Sequence, residues 1–402
     1  MTDGKKHIFV IGSKGIPASY GGFETFVEKL TAFKKSEELV YHVACMGGKE
    51  ERFTHNGADC FRVKVPNIGP GKAVYYDIAA LNASIRYVKE HPEIEHPIFY
   101  VLACRIGPFI KNLKKEIREV GGLLFINPDG NEWKRSKWSW PIRRYWRLSE
   151  RLMVKHADLL ICDSVSIRHY IKKEYRRYKP KTVFISYGSE TRKSSLADND
   201  PAFTSWLEER GLEAGEYYLI VGRFVPENNF EVMLREYMAS GSSKKLAIIT
   251  TENKKLMKEL EEKLHFKADP RIVFAGTVYD GELLMKIREN AFAYIHGHEV
   301  GGTNPSLLEA LGSTQLNLLY DVGFNREVGE EAALYWTKTP GSLASFVDYA
   351  ENLSAEEIAG YEKAAKARIR DHYSWDFIVG RYEDLFLDRK RKGAGGGNEE
   401  KA

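Results

Sequence analysis

Short runs of apolar, β-branched residues alternate with helical segments along the whole chain, and the alternation restarts once. In the first half the runs are 7–12, 40–45, 61–65, 98–103, 123–127, 159–162 and 183–186. In the second half they are 217–222, 246–250, 272–275, 292–296, 316–320 and 333–336. Continuous runs suit strands buried on both faces, whereas a sheet with one wet face alternates. Strand and helix in turn predict parallel sheets with right-handed crossovers. The break falls at 187–201, YGSETRKSSLADNDP, a polar stretch fit for a linker. The expectation is an α/β chain of two doubly wound domains, 1–187 and 201–372, facing each other across a cleft. Segment 375–390 reads as one last helix. The low-complexity end 393–402, GAGGGNEEKA, is expected to be disordered.

At 402 residues, 43% apolar and 29% charged, the chain can bury a core without disulfides. Disordered, collagen-like and disulfide-scaffold classes are excluded. Cys45, Cys60, Cys104 and Cys162 have no metal or CxxC spacing and read as reduced, buried thiols. The formal charge of +4 is split between the halves. Residues 1–200 carry 35 Lys and Arg against 23 Asp and Glu, and the remainder is net acidic. The first half therefore favours an anionic partner. The start, MTDGKKHIFVIGS, lacks an apolar signal region and reads as a first strand. No apolar stretch reaches spanning length, so any membrane role is peripheral, and the expected location is the cytoplasm.

Four segments can carry chemistry. The first, from Gly12 through Gly21 and Gly22, lies between a strand and a helix. Glycines there let a ligand approach the backbone, although the spacing is not that of a dinucleotide loop. The second is VGRFVPENN, where Arg223 at a strand end is placed to clamp a diphosphate, beside Glu227 and Asn228. The third is HGHEVGGTNPSLLE. Asn304 can cap a helix with Pro305 at its first position, and Gly301, Gly302 and Thr303 can offer N–H groups to phosphate. Glu309, one turn on, suits bidentate bonding to vicinal ribose hydroxyls. A third metal ligand is missing near His296 and His298, so no metal site is expected.

The fourth segment starts at NPDGNEWKRSKWSWPIRRYWR. Asp129 and Glu132 follow a strand end, and one of them can accept a proton from an acceptor hydroxyl. The stretch then gathers Trp133, Lys134, Arg135, Lys137, Trp138, Trp140, Arg143, Arg144, Trp146 and Arg147. Indole rings and cations together fit a membrane headgroup boundary. They also fit single-stranded nucleic acid, or a solvated helix face over core tryptophans.

In combination these segments resemble a GT-B glycosyltransferase of glycosyltransferase family 4, two Rossmann-like domains with a last helix crossing back to the first. The resemblance rests on GGFE after the first strand, ADLLICDS (157–164), VGRFVPEN, the Pro305 to Glu309 element and YSWDFIVGRYEDLF. More narrowly, GSKGIPASYGGFETFVEKL, NPDGNEWKRSKW and GGTNPSLLEA are similar to bacterial rhamnosyltransferases of cell-wall and capsule polysaccharide synthesis. The resemblance implies retaining transfer of L-rhamnose from dTDP-β-L-rhamnose to a polyprenyl-diphosphate-linked GlcNAc or glucose at the cytoplasmic membrane face. It implies neither metal nor cofactor, and no nucleic-acid partner.

By the same resemblance Arg223 holds the diphosphate, Gly21 and Gly22 form the glycine loop, and Glu309 holds the ribose. Asn228 stands where the family has a Lys, so a second cation is missing or supplied by Lys14 or Arg105. Gly301 stands where the family has the first of two glutamates. Asp129 is the expected proton acceptor, and Glu227 is expected to orient a substrate. The alternatives are a transferase using a UDP-sugar, a nucleotide-sugar epimerase, or a non-catalytic membrane- or nucleic-acid-binding protein.

Overall fold

The computed structural model describes residues 4–19, 21–49, 51–135 and 138–389. The first sheet holds β1 (Lys6–Ile11), β2 (Leu39–Gly47), β3 (Arg52–His55), β4 (Ala58–Lys64), β5 (Ile98–Leu102), β6 (Leu123–Asn127), β7 (Leu159–Cys162) and β8 (Thr182–Phe184). Its order is β3-β4-β2-β1-β5-β6-β7-β8. The second sheet holds β9 (Tyr217–Val221), β10 (Lys245–Ile249), β11 (Ile272–Gly276), β12 (Ala293–His296), β13 (Asn317–Tyr320) and β14 (Leu334–Trp336). Its order is β11-β10-β9-β12-β13-β14. In both sheets the order reverses beside the first strand of the set, β1 or β9, where α/β sheets open a ligand crevice.

The central strands are buried along their length, as their continuous apolar runs demand: Ile8 to Ile11 and Phe99 to Leu102 are inaccessible. All pairings are parallel except β3 with β4. The sequence reading had no strand at β3. Its side chains alternate between exposed and half-buried, so it has no continuous apolar run. Asn56 and Gly57, both at positive φ (49° and 71°), make the tight turn of an antiparallel hairpin.

The helix Trp375–Phe386 packs against the first sheet, though it follows the second in sequence. Trp375, Ile378, Val379, Tyr382 and Phe386 form its buried face and share a core with Ile8, Val10 and Tyr100. Tyr382 Oη lies 3.1 Å from Tyr100 Oη, and Glu383 accepts from the N–H groups of Lys35 and Ser36. Burying side chains of this size is worth about 1.5–3 kcal/mol each, which fixes the return crossing. The segment read as a linker is held along its length. Arg192 pairs with Glu190 and Glu282, and Glu282 also accepts from the N–H of Ser195. The end 393–402 lies outside the described residues.

Candidate active site

Between the two sheets lies one large cavity of about 920 Å³, lined from both sides. Its volume falls in the range that holds a nucleotide-sized ligand.

On the first side the glycine loop follows β1. Gly12 sits at φ 107° with the Leu102 carbonyl where a Cβ would go, so only glycine passes β5. Gly21, at φ 131°, lies against the carboxylate of Glu24, whose Oε1 accepts the Lys14 N–H at 2.7 Å. Gly21 and Gly22 open the helix Gly22–Ala32 onto the cavity. Asp129 follows β6 at φ 58°, its N–H bonded to Asn127 Oδ1, and lines the cavity. Glu132 lines it too, but its carboxylate accepts Trp138 Nε1 at 2.8 Å and pairs with Arg135 at 2.5 Å. Glu132 is thus engaged in holding the loop.

Sequence reasoning passed over Asp163 as a site residue. It directly follows β7, is 3% exposed, and lines the cavity. Among the described residues its Oδ1 has no hydrogen-bond partner. Burial, then the nearby charges of Asp129 and Glu327, hold its carboxyl well above the usual range. The signal was available: an acidic residue at a strand's C-terminal end, the argument already applied to Asp129.

On the second side Arg223 follows β9, exposed in the cavity wall. Among the described residues no carboxylate pairs with it. Asn228 Nδ2 donates to the Arg223 carbonyl at 2.8 Å and so fixes the loop. Glu227, expected to orient a substrate, is not part of the cavity wall; its carbonyl accepts the Glu299 N–H at 3.1 Å. Asn304 caps the helix Pro305–Ser313 by accepting the Ser306 N–H at 2.8 Å. Just before this helix the N–H groups of Gly301, Gly302 and Thr303 have no acceptor among the described residues. Thr303 Oγ1 donates to the Asp163 carbonyl at 2.7 Å, which fastens the loop to the first sheet. Glu309 lines the cavity, but its Oε2 pairs with Arg288 Nη2 at 2.6 Å. Glu309, expected to bond a ribose, thus reaches the cavity with one oxygen already in an ion pair.

His298 Nδ1 donates to Asn228 Oδ1 at 2.9 Å. Burial holds its imidazole well below the usual range, and the charges of His296, Arg135 and Arg223 lower it further. Arg135 lines the cavity from the first side, in its ion pair with Glu132. Of the cations considered from sequence, Arg105 is tied to Asp77 (3.2 Å) and the Gly12 carbonyl (2.8 Å), and Lys14 is not in the wall.

His296 is buried and pushed down to about 3 by desolvation. As pH falls below about 6.5 the unfolded chain takes a proton that the folded His296 refuses, so this group costs stability in acid. His296→Gln removes that term. Denaturant titrations should show the variant gaining about 2 kcal/mol on the parent between pH 7.5 and pH 5.

Of the tryptophans, Trp133, Trp138 and Trp146 turn into the cavity wall. Trp138 and Trp146 lie with ring centroids 6.0 Å apart, and Trp133 Nε1 donates to Tyr170 Oη. Trp140 alone is exposed, at 67%, with Arg144 over its ring. The helix Trp140–His156 carries Trp140, Arg143, Arg144, Arg147 and Leu148 on one outward face. Arg147 also contacts the ring of Trp133, and exposed Lys134 covers Trp133 and Tyr170. Lys137 lies outside the described residues. Among the described residues no group of acidic, His and Cys side chains could hold a metal ion, and no helix is long and apolar enough to cross a membrane.

Residues 5–190 match the family described as "Domain of unknown function (DUF1972)". A search of curated proteins finds no match. Solved structures are similar over nearly the whole chain. Sucrose-phosphate synthase from Thermosynechococcus elongatus is 14% identical with TM-score 0.77, covering 96% of this chain and 99% of its own. A glycosyltransferase from Rickettsia africae is 12% identical with TM-score 0.71, covering 96% and 98%. Anabaena HepE in complex with UDP is 12% identical with TM-score 0.67, covering 95% and 100%. The chain has the GT-B fold.

Proposed function

We propose that this protein is a retaining glycosyltransferase that moves L-rhamnose from dTDP-β-L-rhamnose to a polyprenyl-diphosphate-linked sugar. One observation carries the reading of a diphosphate donor. Arg223 and the loop Gly301 to Thr303, whose N–H groups have no acceptor among the described residues, line the same cavity, the loop just before the helix Pro305–Ser313. Positive charge and aligned donors there suit a nucleoside diphosphate. The fold shared with UDP-bound HepE supports the same reading. Rhamnose and the lipid acceptor rest on the sequence resemblance.

In the proposed reaction the bond between the anomeric carbon and the diphosphate breaks first. The electron pair leaves with dTDP, and the sugar becomes oxocarbenium-like. Arg223 and the Gly301 to Thr303 amides stabilise the charge that develops on the diphosphate. The acceptor hydroxyl attacks the same face, and its proton passes to Asp129. These groups supply the positive charge, so transfer is proposed to be metal-independent. Trp133, Trp138 and Trp146 form the acceptor wall. The outward face from Trp140 to Leu148 rests on anionic lipid at the cytoplasmic membrane surface, an attachment that rising salt weakens.

The test pairs the protein with dTDP-rhamnose, UDP-glucose or UDP-N-acetylglucosamine and a polyprenyl-diphosphate-sugar, and weighs the lipid product. A rhamnose-sized gain from dTDP-rhamnose alone, unaffected by EDTA, is expected. Gain only from a UDP-sugar would keep the donor site and remove rhamnose.

A further inference from the structure

A chain of hydrogen bonds leaves one nitrogen bare beside the loop Gly301 to Thr303. Asn228 Nδ2 donates to the Arg223 carbonyl at 2.8 Å, so the other end of that amide, Oδ1, faces His298. An amide oxygen only accepts, so His298 Nδ1, 2.9 Å away, carries the proton. A neutral imidazole has one N–H, and Nε2 is therefore the lone-pair nitrogen. Burial keeps the ring neutral, and the charges of His296, Arg135 and Arg223 act in the same direction. Among the described residues Nε2 has no hydrogen-bond partner. The residue is held in place: its ring meets Phe324 edge-on, centroids 5.6 Å apart, and Asn325 Nδ2 donates to its carbonyl at 3.2 Å. His298 lines the cavity, and the Cβ that Gly301 lacks would lie 3.4 Å from Nε2. A phosphate oxygen would meet this nitrogen lone pair to lone pair. What Nε2 can take is an O–H or N–H donor.

We propose that His298 Nε2 accepts a hydrogen bond from a hydroxyl of the sugar that the nucleoside diphosphate carries, so that His298 helps to select the sugar. The inference rests on the donor-site reading above and deepens it. With the diphosphate on Arg223 and the Gly301 to Thr303 loop, the next group along the donor is that sugar, and its hydroxyls are the O–H donors beside the loop. Asn228 acts here through His298, as a positioning residue, because its amide decides which ring nitrogen is bare. A Lys at this position, as in the family that the sequence resembles, could not accept from Nδ1.

The test is calorimetric titration of the full chain with dTDP and dTDP-rhamnose, and with UDP and UDP-glucose as a second pair. His298→Asn keeps an N–H for Asn228 near the Nδ1 position and removes Nε2. In the pair that binds, it should weaken the sugar nucleotide about three- to tenfold, the worth of one neutral hydrogen bond, and leave the bare nucleotide within about twofold. Equal losses on both, or a loss on neither, would overturn the inference while leaving the donor site in place. Nitrogen NMR of the parent protein with isotope-labelled histidine gives a second reading that does not depend on how that variant folds. The bare Nε2 signal, assigned by its absence from His298→Gln, should move with the sugar nucleotide and much less with the bare nucleotide. A signal that both move equally would also overturn the inference. Binding of neither nucleotide would overturn the donor-site reading, and this inference with it.

Discussion

Arg223→Ala lowers transfer by about 10²- to 10³-fold, the effect of removing one donor from a preorganised anion site. The loss is expected in kcat, because diphosphate charge grows as the glycosidic bond breaks. Stability should stay within about 0.5 kcal/mol, since the side chain is exposed and has no carboxylate partner among the described residues. Arg223→Lys should fall between the two, because a point charge lacks the planar fork that meets a phosphate bidentately. Steady-state kinetics beside thermal melts check both expectations. Activity within threefold of the parent would remove Arg223 from the reaction.

Gly302→Ala is expected to damage both stability and transfer. A Cβ at Gly302 would lie under 3.0 Å from the Asp163 carboxylate, a distance real Cβ atoms essentially never show. Asp163 is buried, and its backbone carbonyl is bonded to Thr303, so neither partner can simply move aside. Overpacking of this kind costs about 1–3 kcal/mol. It also displaces the Gly301 to Thr303 amides, so transfer should fall by at least about 10²-fold. Asp163→Ala in the same chain makes room. The double variant should therefore cost clearly less stability than the two single changes summed, by about 1 kcal/mol or more. Additive losses in denaturant titrations would show that the two residues do not meet.

Much of the fold is legible in the sequence because both sheets are covered on both faces. A strand buried on both sides must be apolar throughout, and those runs stand out between amphipathic helices. β3 escapes because it is a polar edge strand whose partner is joined by a two-residue turn. Asn56-Gly57 was its one sign. The helix start at Asn304 and Pro305 is readable because capping is local chemistry.

The site is less legible because it is made by packing. Arg288 and Glu309 lie on different helices, and nothing in their spacing says that they pair. Asp163 is set against Gly302 only once the two sheets face each other. The tryptophans show the same limit. A basic, aromatic segment can present either side to solvent, and only the packing of its turn, loop and helix sets Trp133, Trp138 and Trp146 in the cavity wall and leaves Trp140 outside.

The central claim is that the cleft transfers a sugar from a nucleoside diphosphate to a lipid-linked acceptor. The most direct measurement follows label from dTDP-rhamnose, carrying a radiolabelled sugar, into the organic-extractable lipid with EDTA present. The account predicts acceptor-dependent transfer by the parent protein, at least about 10²-fold less with Arg223→Ala. Label that stays with the nucleotide in both proteins would contradict the rhamnose donor. The same null result with labelled UDP-glucose and UDP-N-acetylglucosamine would contradict the glycosyltransferase itself.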